Sequence, residues 1–243
     1  MPIVAGFKTR SCALDLWCAV EAQHRIATMA LVDTLAEQTL LEAALEQSKP
    51  PLSATQAHLH WLLFTPFRYP PLPTGSRFRG PGDPGVFYGA ESQQAACAEV
   101  GYWRWRLLQD SPDLDAIDPM PQTLFCTPVS AMAIDLRQAP LAARRKQWMH
   151  ASDYAPCQQL AWQAREAGIA LIRYASVRDP DTGGCAAVLD PVAFAADRPA
   201  VSETWMLAVS RERVFWRKES IFEERVFEFG MGRWMVVPSF PAS

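Results

Sequence analysis

Several signatures are missing from this sequence, and each absence removes a class of function. No Cys-x-x-Cys pair occurs among the six cysteines, Cys12, Cys18, Cys97, Cys126, Cys157 and Cys185. A disulfide scaffold is therefore not expected at this length. The start, M-P-I-V-A-G-F-K-T-R-S-C, lacks an apolar core of signal-peptide length. No apolar run approaches the roughly 20 residues that span a bilayer. The expectation is a reducing, cytoplasmic setting without membrane contact. A basic surplus is also missing: 23 Lys and Arg stand against 26 Asp and Glu, for a net charge of −3. That balance disfavours direct nucleic-acid binding, although local basic pockets remain open. The four histidines, His24, His58, His60 and His150, show no metal-ligand spacing with cysteine or acid, so no metal is expected. There is no Walker A loop, no internal repeat and no low-complexity tract.

What is present suits a packed fold. The 243 residues are 49% hydrophobic and 20% charged, enough for one large domain or one domain with an extension. Residues 11–47 read as helix, with Leu14, Trp17 and Val20 opening an apolar stripe that Leu31, Leu35, Leu41 and Leu45 continue. Ser48-Lys49-Pro50-Pro51 stops it. Residues 59–69 read as a strand or a helix end, 75–90 as a turn and a strand, and 91–109 as a helix capped by Glu91 or Ser92. Residues 110–123 read as a loop and 124–136 as a strand. Residues 156–167 read as a helix stopped at Gly168. Strands follow at 169–174 and 186–189, then at 205–209, 214–216 and 226–229. The expected class is α+β: a single mixed domain over residues 51–243 with an N-terminal helical extension over residues 1–50.

Candidate chemistry gathers between Gly75 and Glu99. Arg77 and Arg79 offer planar forks of donors that match phosphate oxygens, or they are ordinary surface arginines on a turn. Gly80, Gly82 and Gly85 have G-x-G-x-x-G spacing, but they precede a strand instead of following one, the wrong context for a dinucleotide turn. Tyr88 either stacks on a planar heterocycle or packs in the core. Glu99 is a lone acid in the small, apolar stretch A-A-C-A-E-V. If that face is buried, it needs a partner and becomes a functional candidate; otherwise it faces water. Ser176, at a strand end before Arg178 and Asp179, can hydrogen-bond a ribose or an amide, or simply end the strand. No Gly-x-Ser-x-Gly surrounds it, so a hydrolase nucleophile has little support.

In order and spacing these segments resemble the RES domain, named for its Arg, Glu and Ser. T-P-F-R-Y-P-P-L-P-T-G-S-R-F-R looks like the entry to its longer members. V-F-Y-G-A-E-S-Q-Q-A-A-C-A-E matches a Tyr followed by a helix bearing the Glu, and L-I-R-Y-A-S-V-R-D-P matches the strand bearing the Ser. I-D-L-R, W-M-H-A-S-D-Y and G-G-C-A-A-V-L-D-P are similar too, and the likeness covers residues 45–235. The resemblance implies a fold similar to ADP-ribosyltransferase toxins and NAD as substrate. It also implies a toxin of a toxin–antitoxin pair with a helix-turn-helix antitoxin as partner. By position, Arg77 is the family arginine, with Arg68 and Arg79 as rivals, and Tyr88, Glu99 and Ser176 are the family tyrosine, glutamate and serine. Arg79 and Arg178 join them as candidate NAD contacts. Homo-oligomer and toxin–antitoxin hetero-oligomer both stay open. The alternative from another class is a non-catalytic module that binds a nucleotide or a protein.

Overall fold

The computed structural model describes residues 8–22, 32–69 and 73–234. Eight strands form one mixed sheet: β1 (Arg10–Glu21), β2 (Phe87–Ala90), β3 (Ala116–Asp135), β4 (Leu171–Ala175), β5 (Gly184–Val188), β6 (Val201–Ser210), β7 (Arg213–Lys218) and β8 (Val226–Gly230). Five helices accompany it: α1 (Leu35–Ser48), α2 (Trp61–Arg68), α3 (Gln93–Gln109), α4 (Arg145–Trp148) and α5 (Ala155–Glu166). Among the described residues, no helix is long and apolar enough to cross a membrane.

The strand order is β1-β2-β5-β4-β3-β6-β7-β8, and β1 also pairs with β3. The first five strands therefore close on themselves, while β6, β7 and β8 extend from the first half of β3. β3 and β4 run parallel, Ile134 opposite Ile172, joined by a crossover that contains α4 and α5. The other pairings are antiparallel.

Two readings of the sequence are corrected here. Residues 10–21 are not the start of a helix: β1 pairs with β3 from Arg10 opposite Ala133 to Glu21 opposite Gln122. Cys12, Leu14, Leu16, Cys18 and Val20 alternate with period two and pack on one apolar cluster. The spacing of Leu14, Trp17 and Val20 had suggested a helical stripe, but the two-residue period governs. Among the described residues helix begins at Leu35, after the N-cap Thr34 and its capping box with Glu37; the intervening Leu31 lies outside them. The loop expected over residues 110–123 is likewise strand from Ala116. β3 accommodates Pro119 in an irregularity between Ile117 and Met120, where pairing with β6 shifts register. Residues 59–69, left between strand and helix end, contain α2.

The sheet has a core on each side. One cluster joins α3 and α5 to Leu124, Ile172, Trp205 and Trp216. The other holds Leu16, Leu63, Phe87, Phe125, Leu171 and Val188. Helix α3 starts where the sequence predicts, with Ser92 Oγ accepting from the Ala95 N–H. It sits close on β7 at Gly101, where an added Cβ would stand 2.8 Å from Val214 Cγ1. That close seat fixes the height of α3 on the sheet, and so of Glu99 two residues before it.

Candidate active site

Glu99 projects from the second turn of α3. Its neighbours Ala95, Ala96, Cys97 and Ala98 are buried. Glu99 itself is half-buried and lines a cavity of about 880 Å³, a volume in the range of small-molecule sites. The acid is not left to find its own orientation. Ser176, one residue past β4 and 0% exposed, donates from Oγ to Glu99 Oε1 at 2.5 Å. The same Oγ accepts the backbone N–H groups of Arg178 (3.1 Å) and Asp179 (2.9 Å). Two donors aimed at the oxygen leave its proton to point at the carboxylate. Ser176 thus reaches the cavity only through Glu99.

The turn that presents Arg77 is clamped from three directions. Ser76 and Arg79 bond reciprocally, the Ser76 N–H to the Arg79 carbonyl at 2.7 Å and the Arg79 N–H back at 3.2 Å. Gly75, at φ +65°, makes the entry. Tyr88 pairs its hydroxyl with Ser76 Oγ at 2.7 Å and accepts the Phe78 N–H at 2.9 Å. Gln158 Nε2 donates to the Ser76 carbonyl at 2.9 Å, and Phe78, fully buried, packs on Tyr174. Arg77 then lines the cavity, its guanidinium over the Tyr154 ring. Its Nη1 donates to the carbonyls of Trp148 and His150. A guanidinium carries five N–H donors, so Nε and Nη2 supply the rest.

The rival arginines point elsewhere. Arg79 donates to the carbonyls of Tyr69 and Asp83. Arg68 bonds the Pro50 carbonyl and pairs with Glu46. Arg178 does line the cavity. Its guanidinium stacks 3.6 Å from the Tyr102 ring centroid, and Nη2 donates to the Ala151 carbonyl at 2.7 Å. The structure therefore brings Arg77, Tyr88, Glu99 and Arg178 to one cavity, with Ser176 holding Glu99.

Electrostatics favour one anion at this centre. Burial pushes the Tyr174 phenol and the Cys185 thiol well above their ordinary values, and the Glu99 charge pushes the same way. Burial also raises the Tyr88 phenol, against the opposing hydrogen bonds to Ser76 and Phe78. All three stay neutral beside the carboxylate.

Sequence reading missed Tyr102, Trp103, Arg106 and Tyr154, which share the cavity wall. A signal existed for the first three. They follow Glu99 at three, four and seven residues, the spacing of one helix face. Tyr154 has no comparable signal; it comes from a loop that topology carries across.

The chain matches no curated protein sequence. Among solved structures it is similar to a chain of the M. tuberculosis MbcT–MbcA toxin–antitoxin complex. That likeness has a TM-score of 0.45 and 15% identity, covering 80% of this chain and 85% of the other. The family model of the RES domain matches residues 50–210, which hold every side chain placed above around Glu99. With well over half its length in that match, the chain belongs to the RES domain family.

Proposed function

We propose that this chain is an enzyme that consumes NAD at the nicotinamide–ribose bond, and the toxin of a toxin–antitoxin pair. The observation that carries the reading is the Glu99 carboxylate: half-buried, lining the cavity, and held by a buried hydroxyl whose proton is directed at it. Breaking the bond between a positively charged nicotinamide and its ribose develops oxocarbenium character on the sugar. A fixed carboxylate beside that carbon stabilises the transition state more than the ground state. Arg77 and Arg178 supply cations for the pyrophosphate, and Tyr88 packs against the nicotinamide end. Ser176 acts as a positioning residue on Glu99. We assign this chemistry to residues 51–243 and place the enzyme in the cytoplasm, where NAD is at hand.

The acceptor of the ADP-ribosyl group defines the subtype: water gives a glycohydrolase, phosphate a phosphorylase, a protein side chain a transferase. The test is chromatographic detection of nicotinamide and its co-product after incubation with NAD, with and without phosphate. Release of nicotinamide is expected, with ADP-ribose or its 1-phosphate identifying the acceptor. Co-purification with a helix-turn-helix antitoxin, encoded alongside, is expected to suppress release. No release above a buffer control in either condition overturns the reading, and binding of NAD without release would mark a nucleotide-binding module instead.

A further inference from the structure

The cavity is larger than the Glu99 centre needs, and its remainder has a distinct chemistry. It continues along α3 past Trp103 and Arg106 to Asp110. At 1.5 Å per residue, Arg106 lies about 10 Å beyond Glu99 along the helix, out of reach of a base bonded to a ribose that sits on Glu99. The opposite wall is β1, a segment outside the span matched by the family model. Trp17 is the residue of β1 that pairs with β2, opposite Ala90. At the strand's end, Glu21 reaches Arg104 of α3 at 2.9 Å. Between these two points β1 runs beside α3, and Trp17 and Ala19, on the face opposite Cys18 and Val20, pack with the α3 cluster and line the cavity.

The cavity lining is largely apolar, with the Arg178 guanidinium beside Trp103. Trp103 is 53% exposed, so it is not held there by core packing. The Arg178 guanidinium, stacked on Tyr102, lies 5.8 Å from the Trp103 ring centroid. Anion first, planar ring second is the order in which a nucleotide presents itself when its phosphate meets Arg178.

We propose that the groove between Trp17 and Ala19 of β1 and Trp103 of α3 is a purine-binding subsite for the nucleotide half of the substrate remote from the broken bond. The inference rests on the NAD-consuming reading and deepens it. The N-terminal strand becomes part of the substrate site, and recognition falls on the adenylate end.

Calorimetric titration with AMP tests this without any turnover. The full chain is expected to bind AMP. Trp103→Ala, at an exposed position that should not disturb folding, is expected to weaken AMP binding about tenfold or more, the usual worth of one stacked base. Trp17→Leu, which keeps an apolar side chain in a half-buried place, should weaken it in the same direction. Trp162→Ala, an exposed tryptophan on α5 away from the cavity, should leave it unchanged. Absence of AMP binding to the full chain, or equal AMP affinity in wild type and Trp103→Ala, overturns the subsite. Nicotinamide release from NAD is measured alongside. Release with unaltered AMP affinity in the variants sinks the subsite alone, and AMP binding lost in the variants without release sinks the NAD-consuming reading alone.

Discussion

Glu99 and Ser176 make a pair in which one side chain lines the cavity and the other fixes its geometry, and substitutions should separate the roles proposed for them. Glu99→Gln keeps volume and hydrogen-bonding capacity but removes the charge. One well-placed electrostatic group is worth roughly 10²–10³ in turnover, so the proposed kcat should fall by that factor. NAD affinity should change little, because the ribose carries little charge before cleavage. Thermal stability should hold, since no salt bridge depends on Glu99 among the described residues. Ser176→Ala leaves the Arg178 and Asp179 amides without their buried acceptor, a cost of about 1–3 kcal/mol in stability, and frees the carboxylate to rotate. Its kcat should drop, with KM nearly unchanged. Steady-state kinetics and melting curves on the two variants check both outcomes; wild-type turnover in Glu99→Gln would remove it from the catalytic list. The place of Glu99 in the cavity was legible in the sequence because a carboxylate inside A-A-C-A-E-V is chemically out of place. The indirect role of Ser176 was not, since nothing in a linear sequence says which way a hydroxyl at a strand end points.

Elements bring these residues together, and their strand ends are pinned by a charge cluster that sequence spacing does not reveal. Asp135, at the end of β3, takes a bidentate pair from Arg137, with both distances 2.9 Å. Arg10 of β1 and Arg173 of β4 stand 3.6 and 3.8 Å from the same carboxylate. Glu91, just after β2, accepts from Arg173 at 2.8 Å and from Arg137 at 3.1 Å. Four strands thus meet at two acids and three arginines. Burial alone would raise the Asp135 carboxyl, but the hydrogen bonds from Arg137 outweigh it and hold the group below its ordinary value. A carboxyl lowered in the folded state stabilises the fold above its unfolded value of about 3.9, and that contribution disappears as pH falls through the folded value. The melting temperature should therefore be flat from neutrality to about pH 5 and fall below about pH 4. Asp135→Asn should melt lower at pH 7 and lose part of that acid dependence, as thermal melts across the pH range would show. A variant with wild-type stability at pH 7 would mean the cluster pins nothing. Helix α3 and strands β4 to β8 were legible because each carries its own period and its own stop signal. β1 and the start of β3 were not: one was masked by a coincidental three-residue spacing, the other by the prolines Pro119 and Pro121.

Five of the eight strands among the described residues form a closed set of pairings, and β1 is the strand that closes it. That makes the N-terminal segment heterogeneous: residues 10–21 are built into the sheet, whereas α1 stands on the surface. The contrast can be measured with one leucine from each. Leu16 is 0% exposed and packs in the cluster with Phe87 and Phe125. Truncating it deletes buried methyl groups and leaves a cavity that strands paired on both sides of β1 cannot collapse to fill. Leu16→Ala should cost about 2–5 kcal/mol. Leu40 of α1 is 71% exposed, so Leu40→Ala removes little apolar contact and keeps a good helix former. Its effect should lie within about 0.5 kcal/mol of zero. Urea unfolding of the two variants, compared at equal m-values, decides between two pictures of the N-terminus. If residues 10–21 were an appendage on a self-sufficient domain, Leu16→Ala would be as mild as Leu40→Ala. If β1 completes the sheet, only the first variant shifts the midpoint, and nucleotide binding in the groove beside α3 weakens with it, because the same strand carries Trp17 and Ala19.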